Sequence, residues 1–313
     1  MHEINELLKK YNIHPKKYKK NKKTIHIETE EGKYVVKEKT KDNQYIYDYL
    51  KTRNFNYIPK IITQQEDNYQ ITSFIEQYAL PEEQKIIDLI LLVSLLHNKT
   101  THYKEIIEDE INEIYEDLNN NIEYLYSYYN DLMTIIESKV YMSPCEYLIA
   151  RNISKIYETL YFSKEELEKW YKIVKGNKKQ RYTVLHNNLE LDHFIINDNK
   201  YLISWDKAKI GIPIFDIYKL YKKHALDFEF NEIFKIYEKN YPLKEEERKL
   251  LFILISIPPK IEMKESEYEN TKEARKKIDY VFKTQLFISP YYSDKRPENN
   301  SNKKENEKNI KSS

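Results

Sequence analysis

The chain predicts an α+β fold with two lobes, a small strand-rich one followed by a larger helical one. Three observations carry this. Residues 1–80 hold several short apolar runs with strand-like alternation. Residues 81–290 show the three-to-four spacing of helices, interrupted by one short strand pair. The length, 313 residues, exceeds one minimal domain and suits two lobes.

Taken in order, residues 2–11 carry an apolar stripe at Ile4, Leu7 and Leu8, which predicts a helix. TIHIETEEGKYVVKEK (24–39) alternates on both sides of Glu31-Gly32 and reads as a hairpin. NQYIYDYLKTRNF (43–55) is helix-like, and IPKIIT and NYQITSFIE predict two more strands split by the polar QQED turn. EEQKIIDLILLVSLLH (82–97) predicts a mostly buried helix, and 103–175 predicts helices throughout. Within that region Ser143-Pro144 starts one helix, and Ser163 with Glu166 reads as the capping box of another. Gly176-Asn177 closes it. RYTVLH and the pair FIIN and NKYLISW predict short strands, and helices return at about 214–226, 229–239, 244–257 and 265–283. The polar stretch at 291–313 predicts a disordered tail.

Composition narrows the function classes. Lys plus Arg number 52 and Asp plus Glu 51, a net charge of +1, so bulk electrostatics select neither nucleic acid nor membrane. The Lys-rich HPKKYKKNKK (14–23) reads equally as a nucleic-acid patch or as a solvated strand edge that discourages aggregation. A single cysteine, Cys145, rules out an internal disulfide framework and reads as a buried thiol in a reducing compartment. The start, MHEINELLKKYNI, is too acidic and too short in its apolar run for a signal peptide. No apolar run approaches the ~20 residues that span a bilayer. The expectation is a soluble, cytoplasmic protein. With only three glycines in the whole chain, a glycine-rich phosphate loop is excluded.

The densest polar cluster between apolar runs is VLHNNLELDHFIIN (184–197), the pattern of a loop held by strands. Its spacing carries a resemblance. His186-Asn187-Asn188, then His193, Ile203-Ser204-Trp205 and Gly211-Ile-Pro213-Ile-Phe-Asp216 match, without a gap, the H-G-D-x-x-x-x-N, I-D-W and G-x-P-x-x-D motifs. Those belong to the aminoglycoside phosphotransferase and choline kinase family, which shares the protein-kinase fold. Lys37, ending VVK, resembles the strand lysine that holds nucleotide phosphates. YNI near the start, the T-x-x-G-x-Y-x-x-K run at 29–37 and LLVSLLH resemble the spore coat protein S branch. His97, which closes LLVSLLH, resembles a structural position of the family. The resemblance covers roughly residues 1–285. It implies a kinase-like fold with a β-rich lobe at 1–80 and a helical lobe at 81–290, and it names ATP and Mg²⁺ as the candidate cofactors.

The departures fall on the chemistry. Asn188 stands where the family has its proton-accepting Asp, and a carboxamide takes no proton at useful pH. His193 replaces the metal-binding Asn, and Ser204 the metal-binding Asp. The helix glutamate that pairs the strand lysine falls near Gln44 or Tyr45, neither acidic. What remains is scaffold: His186, Trp205, Gly211, Pro213 and Asp216, of which the resemblance makes His186 and Asp216 the braces of the loop.

Each residue also has a plainer reading. Lys37 could be an exposed strand lysine. Asp206, two residues past Ser204, could hold a metal alone but reads better as a solvated surface acid. Asp192 with His193 could form a metal site, or be solvated. Glu190 could substitute as a base, although its side chain should leave on another face. The aromatics at 115–129 read as core or interface. The expectation is a pseudokinase that binds a protein partner or a small molecule, with no nucleic-acid or membrane partner, in a cytoplasmic and spore-associated setting. The alternative is an active ATP-dependent small-molecule kinase that uses Glu190, Asp192 and Asp206. A third reading is a nucleotide sensor that binds ATP through Lys37 without metal.

Overall fold

Period-two patterning places the residues of one antiparallel sheet on two faces with different tasks. In the computed structural model, which describes residues 2–21, 24–39 and 43–293, helix α1 (His2–Lys10) is followed by strands β1 (Lys17–Asn21), β2 (Thr24–Glu28) and β3 (Lys33–Glu38). After helix α2 (Gln44–Thr52), strand β4 (Tyr69–Ser73) completes an antiparallel sheet in the order β1-β2-β3-β4. Cross-strand partners share a face. Ile25, Val36 and Ile71 are register partners, as are Ile27 and Tyr34. This face packs on α1 through Ile4, Leu7 and Leu8 in one small core. The other face carries His26, Val35 and Thr72 in one row and Thr24, Lys37 and Gln70 in the next. Strand β1 is exposed along its whole length at the sheet edge, where its lysines discourage edge-to-edge pairing.

The helical lobe begins with α3 (Glu82–Thr100) and strand β5 (His102–Glu105), followed by α4 (Glu108–Glu137) and α5 (Pro144–Gly176). Strand β6 (Lys179–Leu185) pairs with β5 on one side and with β9 (Lys209–Gly211) on the other. Between them β7 (Phe194–Ile196) and β8 (Lys200–Leu202) form a two-stranded hairpin. Helices α6 (Ile214–His224), α7 (Phe230–Asn240), α8 (Glu245–Ser256), α9 (Glu267–Ile288) and α10 (Pro290–Ser293) follow. A second, larger core joins these helices and also takes in Ile46, Leu50 and Phe55 from and just after α2. Among the described residues, no helix is long and apolar enough to cross a membrane.

Four sequence expectations need correction. IPKIIT is not a strand. It precedes β4 and runs beside it with one isolated bridge, Ile61 to Thr72, and a few backbone hydrogen bonds, and Pro59, which fixes φ and lacks an N–H, limits the ladder. Ser163 caps nothing, since α5 runs through it unbroken. Its hydroxyl donates to the Thr159 carbonyl four residues back (2.8 Å). The other capping box is real: Ser143 Oγ accepts from Glu146 N, and Glu146 Oε2 accepts from Ser143 N. Residues 102–105 form a strand, because apolar helical spacing begins only beyond them. Tyr291 and Tyr292, assigned to the tail, pack against Phe252, and the Tyr292 hydroxyl donates to Glu166 (2.8 Å). From residue 294 onward the expected tail lies outside the described residues.

Gly211 sits where β9 meets β6, opposite Thr183. A Cβ there would come within 2.6 Å of Leu185 Cδ1, and Leu185 is fully buried. Gly211→Ala is therefore expected to lower stability by about 1–3 kcal/mol, measured by urea unfolding. An unchanged midpoint would show that Leu185 can turn aside freely.

Candidate functional site

Strand β6 delivers the chain to His186, and the next two residues turn away from it. Asn187 takes a left-handed conformation (φ 60°), which asparagine tolerates better than other side-chain-bearing residues. The turn is held from beneath by Asp216, in the first turn of α6. One Asp216 oxygen accepts from His186 N (2.8 Å) and the other from Asn187 N (2.6 Å). His97 Nε2 lies 3.3 Å from the same carboxylate, and its Nδ1 lies 2.7 Å from the Tyr237 hydroxyl. Asp216, His97 and His186 are all fully buried.

The His186 ring does not reach Asp216. Its Nε2 donates to the Ile203 carbonyl (2.9 Å), and its edge packs on Trp205 at 4.8 Å between centroids. Nδ1 is buried without a partner. Burial pushes the His186 pKa below its ordinary value, so the ring is neutral. It ties the loop to the segment before Ser204 and is not placed for proton transfer.

Asn188 and His193 meet at the loop surface. His193 Nδ1 donates to the Asn188 carbonyl (2.8 Å). That assigns the ring proton to Nδ1 and makes the 3.3 Å approach of Asn188 Nδ2 a packing contact. Asn188 Oδ1 accepts from Lys207 Nζ (3.3 Å). Asn187 is anchored likewise, with Nδ2 donating to Lys207 O (2.8 Å) and Oδ1 accepting from Lys219 Nζ (2.5 Å). Ser204 is also left-handed (φ 65°, ψ 51°), a strained state for serine, and it opens the short 3₁₀ turn Trp205–Lys207.

Lys37 faces this turn across a cleft of about 280 Å³ between the sheet and the helical lobe. The sheet face described above forms one wall of it. Ile195, Ile203, Ser204 and Trp205 line the opposite wall, and Tyr47 and Phe74 close the sides. Lys37 Nζ is ion-paired with Asp206, and both side chains are less than one-third exposed. The reading of Asp206 as a solvated surface acid is thus corrected: the acid that meets the strand lysine comes from the far side of the cleft. Gln44 instead donates to Asp48 on its own helix (3.0 Å), and Tyr45 is exposed.

The remaining acids are occupied elsewhere or point to water. Glu190 pairs with Lys223 (2.5 Å), whose hydrogen bond lowers the Glu190 pKa and weakens it as a base. Asp192 is exposed. Cys145 is buried, and burial pushes its thiol up to about 11, which makes it an inert core residue. Among the described residues, no group of three or more His, Cys, Asp or Glu side chains is arranged to hold a metal ion. Ser204 and His193 offer no anionic oxygen, and Asp206 is already paired. This set does not fit a hard divalent cation, which takes several oxygen ligands. Lys37 would have to leave Asp206 to meet a phosphate in the cleft.

Sequence reasoning missed the roles of Asp206, Lys207 and Lys223. The local pattern holds no sign of them, because each partner lies on another element.

No protein-family model matches the sequence, and no curated protein matches it. Solved structures do match. The chain is similar to an aminoglycoside phosphotransferase from Alicyclobacillus acidocaldarius at 9% identity, over 92% of this chain and 94% of that one, with a TM-score of 0.65. It is similar to an AMP-bound spectinomycin phosphotransferase at 16% identity, over 94% of each chain, with a TM-score of 0.51. A choline kinase from Streptococcus pneumoniae aligns at 16% identity over 93% of this chain and 98% of that one, with a TM-score of 0.45. At these identities the first two likenesses show the fold alone, a kinase-like α+β arrangement with a small sheet-bearing lobe and a larger helical one.

Proposed function

We propose that this protein keeps the scaffold of a phosphotransferase and works by binding, as a pseudokinase. One observation carries the reading. At the loop position where a proton acceptor would stand there is a carboxamide, Asn188, whose oxygen faces the Lys207 ammonium. A carboxamide holding an ammonium cannot take the proton of a substrate hydroxyl. Two of the nearby acids are already engaged, Glu190 by Lys223 and Asp206 by Lys37, and the third, Asp192, is turned to water. The reading treats residues 1–80 and 81–290 as the two lobes, with the cleft between them as the binding place. The YNI, T-x-x-G-x-Y-x-x-K and LLVSLLH stretches support a spore-coat-associated setting.

Thermal unfolding with ATP, with and without Mg²⁺, tests the reading. The expected result is no Mg²⁺-dependent rise in Tm, because Ser204 and His193 offer no anionic ligand. A rise that requires Mg²⁺ would favour an enzyme and sink the proposal. A rise independent of Mg²⁺ would place nucleotide, held through Lys37, among the ligands of a binding protein.

A further inference from the structure

Among the described residues, a second cavity is larger than the cleft. It lies in the helical lobe, encloses about 660 Å³, and is bounded by α4, the end of α6, the segment after α8, and α9. That volume suits a small organic ligand. Its floor is apolar, with Leu118, Leu125, Leu254, Ile257 and Pro258, and the tyrosines 124, 218 and 280 add ring surface. Its polar lining is strongly one-sided: Lys222, Lys223, Lys260, Lys276 and Lys277 face only Asp227 and Glu273.

The two acids are already used. Glu273 accepts from Lys264 (2.8 Å) and Lys277 (2.5 Å), which hold its carboxyl down to about 2. Asp227 pairs with His224 (2.9 Å). Lys223 is tied to Glu190, and Lys260 lies over the Tyr124 and Tyr128 rings with Glu262 at 3.7 Å. Among the described residues, Lys222 and Lys276 have no carboxylate within ion-pair distance; Lys222 lies over the Tyr218 ring (5.7 Å) and 3.4 Å from its hydroxyl. Lysines gathered from three distant stretches onto one concave apolar wall repel one another, and such a wall focuses positive potential.

From this we infer that the helical lobe holds a pocket for a small organic anion, a flat apolar body bearing a phosphate or carboxylate group. The body would lie on the leucines and tyrosines, with the anionic group between Lys222 and Lys276. A cationic aminosugar would be repelled from the same wall. The inference does not depend on whether the protein is an enzyme, since it concerns a cavity distinct from the cleft.

Isothermal titration of the full chain with phenyl phosphate tests it, with benzyl alcohol as the neutral probe and benzyltrimethylammonium as the cationic one. The expected result is one saturable site for phenyl phosphate, weakened by added salt, and no saturable binding of the other two. Lys222→Glu with Lys276→Glu should weaken binding by about tenfold or more. Lys222→Gln with Lys276→Gln should weaken it less and leave the Tm unchanged. The proposal is overturned if phenyl phosphate does not bind, or if the neutral probe binds equally well. It is also overturned if the lysine variants bind normally while Lys37→Met abolishes binding, which would move the site to the cleft.

Discussion

Asp216→Ala is expected to destabilise the protein by about 3 kcal/mol, the cost of stripping the partner from buried groups. The carboxylate is fully buried and accepts from the backbone N–H of His186 and of Asn187. Removing it strands both donors, and each buried unsatisfied group costs about 1–3 kcal/mol before relaxation. His97 loses its neighbour at the same time. For a chain of this length the loss corresponds to a fall in Tm of roughly 6 °C. Asp216→Asn should not rescue the protein, because its NH₂ would face a backbone donor. Asp227→Ala is the control. Its side chain is more than half exposed and pairs only with His224, so it should change stability by less than about 0.5 kcal/mol. If the Asp216 and Asp227 variants melt alike, the brace is not what holds the loop.

The second large effect is catalytic. With ATP and Mg²⁺ the unmodified protein is expected to show no turnover above background on aminoglycosides, choline or simple sugars. Phosphoryl transfer depends on positioning and on neutralising charge, chiefly through metal ions. Here neither the base position nor either metal position holds a carboxylate. Each such loss typically costs about a hundredfold or more, although the losses do not simply multiply. Asn188→Asp alone should not create activity. Lys207 Nζ already lies 3.3 Å from the oxygen at that position, and a new carboxylate would pair with it and lose basicity. Asn188→Asp combined with His193→Asn and Ser204→Asp restores an acid to the base position and to one metal position, and an amide oxygen to the other, and should give detectable phosphorylation. Robust turnover by the unmodified protein, abolished by Asp206→Asn or Glu190→Gln, would establish the enzyme reading instead.

Much of this was legible in the residues themselves. Alternation in 24–39 predicts which face of the sheet Lys37 occupies, because side-chain direction in a strand follows from parity alone. The resemblance carried by the spacing from His186 to Asp216 implies one braced loop; in the structure His193 meets the Asn188 carbonyl and Asp216 accepts from the Asn187 N–H.

Other features were decided only by tertiary structure. Ser163-x-x-Glu166 has the letters of a cap. Packing of α5 against α4, α8 and α9 keeps the helix continuous through it, because burial of a long apolar stripe outweighs a local signal. Asp206 looked like a surface acid because its partner, Lys37, lies 169 residues away in the chain. The lysines of the large cavity come from helices and loops that no local pattern links. Parity, spacing and turn chemistry act between near neighbours and can be read along the chain. Ion pairs and cavities depend on which distant elements meet, so they exist only once the chain has folded.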